Sequence, residues 1–572
     1  MCGFRAALFR SIYYHMTQYE DFVGLIQKAI TDHWDRDALT DYEGATLQYK
    51  DVARKIEKLH ILFENAGIGQ GDKIAICGRN CAHWAVAFLA TMTYGAVPVP
   101  ILHEFKAPQI HNIVNHSEAR LLFVGEVIGR NITPAEMPAL EGIINTCDFS
   151  LLDCRSQQLF DAREHLNAYY GEKYPKYFRK EHVHYHLQPD GEQLALINYT
   201  SGTTSKSKGV LIPYRALWSN CRFAIDTLGA NLVPGNEVIS ILPMAHMYGF
   251  MFEFMFEFLG GCHIYYLNRM PTPRIIIDAF SKIKPMVVVS VPLIFEKVIR
   301  KNVLPKLQTP TMRTLMKLPY VSHKIGDKVR EHLMNAFGGN FYEVVIGGAA
   351  FNSDIEKFLL KIGFKFTVGY GATECAPIIT YANYDEIKPG SCGKAAPRME
   401  MRIDSDDPEH TVGEILVRGA NVMLGYFKNP EATAATLDAD GWYHTGDLGV
   451  IDRDGYLYIR GRSKNMLLAS NGQNIYPEEI EDKLNTLPYV SESIVIQKGE
   501  KLYALVHPDF DGARRNGLDR EALEAQMEQN RKDLNAQINN YEQIVAFRIY
   551  DEEFEKTPKK SIKRFLYADA EV

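Results

Sequence analysis

Residues 73–101 read KIAICGRNCAHWAVAFLATMTYGAVPVPI, two β-branched apolar runs on either side of an apolar segment long enough for a short helix. A run such as 73–77, apolar at successive positions, suits a strand covered on both faces, and the β-branched residues of 97–101 suit the same role. Residues 83–93 between them predict a helix, and residues 52–66 before them carry apolar side chains at helical spacing. Strand, helix and strand in that order predict parallel strands joined by crossover helices. The rhythm extends over residues 47–124 and returns in strand-like runs at 194–198, 237–242, 285–291 and 343–346. From 399 to 460 the texture changes to short strands split by Gly and Asp, which predicts a small β-rich unit. From 464 onward, strand-like runs at 493–497 and 502–507 precede a polar helix expected over 519–539. The predicted fold class is therefore α/β: a large N-terminal body of mixed, mainly parallel sheets with helices and a β-rich subdomain, then a smaller C-terminal α+β domain.

At 572 residues the chain exceeds what one core holds, and 46% hydrophobic with 23% charged residues is ordinary globular composition. A net charge of -7 argues against nucleic acid as the main partner, because that binding rests on clustered Lys and Arg displacing counterions. Nine cysteines, an odd number without zinc-ligand spacing, suit a reducing compartment and buried thiols. The most apolar stretch, 84–102, is interrupted by Gly95, Pro98 and Pro100, so no membrane-spanning helix is expected. The first fifteen residues lack the apolar centre and small-residue cleavage site of a signal peptide, and Met16 is the expected start of the patterned sequence. The expected location is cytoplasmic.

Chemistry concentrates in YTSGTTSKSKGV at 199–210, directly after a strand-like run. Thr200, Ser201, Gly202, Thr203, Thr204 and Ser205 offer backbone N–H groups and hydroxyls to phosphate oxygens, and Lys208 adds a mobile positive charge. The spacing is not that of a P-loop, since Ser207 stands where its second glycine belongs.

The segment resembles the YTSGTTGxPKG signature of the adenylate-forming superfamily, which includes acyl-CoA synthetases, luciferases and the adenylation domains of peptide synthetases. Ser205 and Ser207 replace the usual glycine and proline. Other motifs follow in the family's order. Gly369, Tyr370, Gly371, Ala372, Thr373 and Glu374 resemble GYGxTE, and Gly347, Gly348, Ala349 and Ala350 resemble the family's GGA turn. Residues 442–447, WYHTGD, are similar to WxxTGD, with Arg462 and Lys464 following.

The resemblance implies ATP, Mg2+ and coenzyme A. Thr200 to Thr204 and Lys208 would hold the β- and γ-phosphates, while Tyr370 and the Gly348–Ala349 backbone would flank adenine. Thr373 would reach the α-phosphate, and Glu374 with Thr200 would hold Mg2+. Asp447 and Arg462 would bind ribose. His246, in LPMAHMYG, would place the substrate carboxylate or gate the acyl tunnel. Lys464 would be the hinge between an adenylation domain, 16–463, and a mobile lid, 464–572. Gly472 would let a lid loop pass the pantetheine channel.

The family's carboxy-terminal KTxxGKIxR appears as KTPKKSIKR at 556–564, with Ser561 at the lysine position, so Lys560 or Lys559 is expected to reach in instead. Residues 291–297, VPLIFEK, and the insertion after them look like the long-chain acyl-CoA synthetases. Within 300–330, Lys301, Lys306, Arg313, Lys317, Lys324 and Lys328 face a single acid, Asp327, which makes Arg300 to Arg330 a candidate peripheral contact with an anionic membrane surface. Aromatic residues at 250–258 suit core packing or an acyl tunnel. The implied reaction activates a medium- or long-chain fatty acid as acyl-AMP and passes it to coenzyme A. The alternatives are transfer to acyl carrier protein or a catalytically weak acyl-binding relative.

Overall fold

The computed structural model describes residues 19–200, 207–229, 231–268, 272–302, 319–469, 473–557 and 562–571. Its first sheet has five strands in the order Val97–Leu102, Lys73–Gly78, Ala119–Val124, Gly142–Asn145 and Leu151–Cys154; all neighbours are parallel except the last pair. The expected strand-helix-strand unit is present as Lys73–Gly78, Ala82–Tyr94 and Val97–Leu102. The helix is buried almost all round and ends at Gly95, so its apolarity serves the core. Among the described residues no helix is long and apolar enough to cross a membrane. Tyr49–Asn65 lays its apolar stripe, including Val52, Ile56, Leu59 and Phe63, on the same core.

A second sheet pairs Glu237–Ser240, His263–Tyr266 and Asp37–Asp41 in parallel, with Thr46–Gln48 antiparallel at its edge. A third is wholly parallel: Val288–Ser290, Val344–Ile346 and Phe366–Val368, packed around Phe295, Phe337 and Phe364. The strands at 237–242 and 285–291 are shorter than the sequence predicts. Ile241 and Leu242 turn away because their N–H groups donate to the Glu253 carboxylate instead of to a neighbouring strand.

In the β-rich unit, Met399–Asp404, Gly413–Gly419, Tyr443–Ile451 and Leu457–Arg462 form one antiparallel sheet. A separate sheet joins the hairpin Leu194–Tyr199 and Gly209–Pro213 to the two-residue strand Gly425–Tyr426.

The C-terminal α+β part has its own core. Val490–Lys498 and Lys501–Pro508 form a hairpin, Ile544–Ile549 adds in parallel, and helices Pro477–Thr486 and Arg520–Asn535 cover it through Ile480, Leu484, Leu523, Met527 and Leu534. The last helix stops at Asn535, earlier than the expected 539. Asn535 exchanges two side-chain hydrogen bonds with the backbone of Ile544, which turns the chain into the strand. The fold is thus α/β with mixed, mainly parallel sheets, a β-rich unit and a smaller α+β C-terminal part.

Candidate active site

Parallel strands leave backbone groups open at their carboxyl ends, where ligands of open α/β sheets bind. Two motifs leave the third sheet there: Gly347–Gly348 after Ile346, and Gly369–Tyr370 after Val368, with the Gly369 N–H donating to the Ile346 carbonyl at 2.9 Å. Gly371 must be bare, because a Cβ on it would lie 2.3 Å from the Pro377 carbonyl oxygen. That close approach belongs to the turn returning the chain into Ile378–Tyr381, which pairs with Tyr370–Gly371 across a register shift.

The Tyr370 hydroxyl donates to Asp447 Oδ2 at 2.6 Å, and Arg462 Nε lies 2.9 Å from Asp447 Oδ1. Asp447 and Arg462 stand opposite each other on antiparallel strands. Gly446, at φ 70°, donates its N–H to Glu414 Oε1 at 2.8 Å, and the Asp447 N–H donates to Thr445 Oγ1 at 3.0 Å, so the local kink sets the direction of Asp447. Asp447 is buried, which pushes its pKa up, and Arg462 opposes that rise. Each carboxylate oxygen has a second acceptor position beyond the one in use, so the pair keeps capacity for two further donors.

Past the hairpin strands Leu194–Tyr199 and Gly209–Pro213, the Thr200 N–H donates to the Lys208 carbonyl at 3.0 Å. Ser201, Gly202, Thr203 and Thr204 lie outside the described residues. Lys208 Nζ sits 4.6 Å from the centroid of the Tyr426 ring, and the Tyr426 hydroxyl donates to Glu374 Oε1 at 2.9 Å. Thr373 is buried within the short turn Thr373–Cys375. Tyr443 is buried, and its ionisation is suppressed by burial and by the fields of Glu374, Tyr426, Cys375 and Tyr370.

The residues fit a magnesium-bound phosphate. Glu374 leaves Oε2 outside its bond to Tyr426, and Mg2+ takes hard oxygen donors, often one or two carboxylates with substrate phosphates supplying others. Among the described residues no cluster of three or more His, Cys, Asp or Glu forms a self-sufficient metal cage, as that binding mode requires none.

His246 caps the helix Met247–Phe250, its Nδ1 accepting from the Tyr248 N–H at 3.2 Å. Three buried side chains hold the preceding turn. Asn80 Nδ2 donates to Ser240 Oγ at 3.0 Å and the Leu242 carbonyl at 2.6 Å, while its Oδ1 accepts from Met244 N at 2.9 Å. Asn198 Nδ2 donates to the Ala245 carbonyl at 3.0 Å, and Glu253 Oε2 accepts from the N–H groups of Ile241 at 2.9 Å and Leu242 at 2.7 Å. Glu253 lies in a π-helical turn, Met251–Met255, in which Phe252 and Phe254 are also buried, with Phe250 just before the turn and Phe258 just after it. Glu253 and Glu257 are both buried, and burial pushes Glu257 up to about 8.

Sequence reading missed Asn80, Asn198 and Tyr426. Asn198 carried a signal, as a polar residue at a buried position of an otherwise apolar strand; Asn80 and Tyr426 carried none.

Lys464 is exposed in the turn Ser463–Asn465, and Asn465 Nδ2 donates to Glu478 Oε1 at 2.6 Å. Lys556 bridges to Ile562, and Arg564 is clamped to the buried Glu481 at 2.6 Å. Lys559, Lys560 and Ser561, along with Gly472, lie outside the described residues, as does 303–318 within the basic insertion.

Bare strand ends, a buried acid beside an arginine, and a lysine and glutamate flanking one phenol make an arrangement suited to a nucleotide. The family model described as AMP-binding enzyme matches residues 26–427, and that described as AMP-binding enzyme C-terminal domain matches 464–569. The chain belongs to the AMP-binding enzyme family. It is 27% identical to long-chain-fatty-acid–CoA ligase FadD15 of Mycobacterium bovis, over 91% of this chain and 90% of that protein. It is 26% identical to a long-chain-fatty-acid–CoA ligase of Escherichia coli O157:H7, over 83% and 82%. The fold is similar to that of the anthranilate CoA ligase AuaEII solved with anthranoyl-AMP, at TM-score 0.77 and 19% identity over 96% of this chain and 97% of that one. It is also similar to ATP-bound MatB from Rhodopseudomonas palustris, at TM-score 0.74 and 22% identity over 96% and 99%.

Proposed function

We propose that this protein activates a carboxylic acid as an acyl-adenylate with release of pyrophosphate, then transfers the acyl group to coenzyme A, and that the acid is a medium- or long-chain fatty acid. The observation that carries the reading is a pair of clusters, one in which Asp447 is held by Tyr370 and Arg462, the other in which Tyr426 engages both Lys208 and Glu374. The first suits adenosine, with Tyr370 and Gly348–Ala349 against the base and Asp447 accepting from ribose hydroxyls. The second suits a triphosphate, with Lys208 at the β- and γ-oxygens and Thr373 near the α-phosphate. Glu374 and the Thr200 hydroxyl would hold Mg2+, which neutralises phosphate charge when bound.

A free carboxylate resists thiol attack because it is anionic and its leaving group is oxide; attachment of AMP removes both obstacles. Attack on the α-phosphate requires alignment and charge neutralisation above all. His246, in the turn held by Asn80, Asn198 and Glu253, orients the attacking carboxylate. Residues 16–463 form the adenylation domain and 464–572 a lid that pivots at Lys464 to exclude water from the mixed anhydride. Lys560 assists the first step, and Gly472 lines the thiol's approach. The names of the relatives support coenzyme A as acceptor and a fatty acid as substrate. Residues 300–330 touch anionic membrane from the cytoplasmic side while substrate enters; flotation with liposomes that is indifferent to anionic lipid removes that contact.

A pyrophosphate-release screen across carboxylic acids, with and without coenzyme A and with acyl carrier protein as the competing acceptor, tests the reading. Release with fatty acids and thioester formation on coenzyme A are expected. Background release with every acid overturns it. Equal adenylation rates for Lys560→Ala and wild type remove the role of Lys560.

A further inference from the structure

Tyr426 belongs to none of the motifs that drew attention in the sequence, yet its one side chain touches both charged residues of the phosphate flank. Its ring is buried, at 6% exposure. Strand pairing fixes it from both sides: Tyr426 stands opposite Val210, the Leu424 N–H donates to the Leu211 carbonyl at 2.9 Å, and the Phe427 N–H donates to the Gly209 carbonyl at 2.7 Å. Its own N–H donates to Thr433 Oγ1 at 2.9 Å. The π face thus meets Lys208 and the hydroxyl meets Glu374 from a backbone that belongs to the same sheet as the hairpin carrying Lys208.

An ammonium and a carboxylate that both touch one small ring attract each other, and a direct pair is the arrangement that competes with the one observed. Such a pair would be doubly unproductive, because the lysine charge is needed by phosphate and the glutamate oxygen by a cation. Lys208 and Glu374 form no ion pair with each other; each is engaged by the phenol instead. The ring offers Lys208 a quadrupole that anionic oxygens displace readily, and the hydroxyl occupies Oε1 of Glu374 while leaving Oε2 for a hard cation.

We propose that Tyr426 is a positioning residue that keeps Lys208 and Glu374 apart and presents the Glu374 carboxylate to the magnesium of the bound nucleotide. This rests on the phosphate and metal reading of the site given above. The hydroxyl and the ring have separable duties. The hydroxyl orients Glu374 and so governs the response to Mg2+; the ring holds Lys208 and so governs affinity for the phosphates themselves.

The test is calorimetric binding of α,β-methylene-ATP to the full-length protein, first in EDTA and then across a Mg2+ titration, for wild type, Tyr426→Phe, Tyr426→Leu and Glu374→Gln. Tyr426→Phe keeps the ring and its volume. It is expected to leave affinity in EDTA unchanged and to raise the Mg2+ concentration at half-effect roughly tenfold, the loss of one hydrogen bond to a charged group. Tyr426→Leu is expected to lose affinity in EDTA as well. A Tyr426→Phe protein that matches wild type in both conditions, while Glu374→Gln shifts the Mg2+ response, overturns the role of Tyr426 and leaves the site reading standing. Equal loss by Tyr426→Phe with and without Mg2+ also overturns it, since a merely structural ring would behave so. If Glu374→Gln leaves the Mg2+ response unchanged, the reading of the metal subsite fails and this inference with it.

Discussion

Replacing Asp447 by Asn tests the nucleotide reading with the least disturbance of shape. The carboxylate uses one acceptor position on each oxygen, for Tyr370 at 2.6 Å and Arg462 at 2.9 Å, and the second position on each is where ribose hydroxyls would bind. An amide retains one acceptor oxygen and turns the other into a donor. One ribose hydroxyl then loses a charged acceptor, about 1.5–3 kcal/mol, and the other keeps only a neutral one, about 1 kcal/mol weaker. The combined loss is about 2.5–4 kcal/mol, roughly 60- to 1000-fold in kcat/KM for ATP. Stability should barely move. The Arg462 side chain is 61% exposed, so its ion pair contributes no more than about 1 kcal/mol, and loss of a charge disfavoured by burial offsets part of that. ATP–pyrophosphate exchange with ATP and acid varied separately reads the effect, alongside a thermal melt. A folded Asp447→Asn protein with kcat/KM for ATP within about threefold of wild type, or with only its acid KM altered, refutes the reasoning. Because burial raises the Asp447 pKa, the wild-type exchange rate should fall on acidification from above the ordinary aspartate range, as protonation removes an acceptor; this limb should be absent from Asp447→Asn.

Gly371→Ala puts a Cβ 2.3 Å from the Pro377 carbonyl oxygen, so backbone must shift, at about 1–3 kcal/mol; exchange activity should fall more than tenfold, read beside circular dichroism. Asn198→Ala strands the Ala245 carbonyl and loosens the turn before His246; KM for the acid should rise roughly tenfold with KM for ATP nearly unchanged. Glu257 is held up at about 8, against an ordinary value of 4.5, by burial beside Cys221, Cys262 and Tyr266. The folded state therefore binds its proton more tightly than the unfolded chain, and the stability that this gives is complete below 4.5 and lost as pH rises through about 8. Glu257→Gln should lessen the drop in unfolding free energy between pH 6 and pH 9 by on the order of 2 kcal/mol, measured by urea titration.

Short-range order was legible. The run at 73–101 shows its strand-helix-strand unit to within a residue or two, because each element depends on neighbours a few positions away and on which side chains are apolar. The glycine turns at 347–348 and 369–371 were legible through their resemblance to the family's GGA and GYGxTE motifs. Where the reading stopped, a distant partner was deciding. Ile241 and Leu242 leave their strand for a carboxylate at 253, and the helix expected to reach 539 ends at Asn535 because that side chain finds Ile544.

From its residues alone the chain determined its α/β class, its motifs and their order. Tertiary structure decided who meets whom: Tyr426 with Glu374, 52 positions away, and Asn80 with Leu242, 162 away. Backbone preference and hydrophobic pattern act over a few residues and leave their mark locally. The pairing of buried polar groups depends on sheet register and on desolvation in the assembled core, where an unmatched donor costs more than a matched one gains, and no stretch of neighbouring residues records that balance.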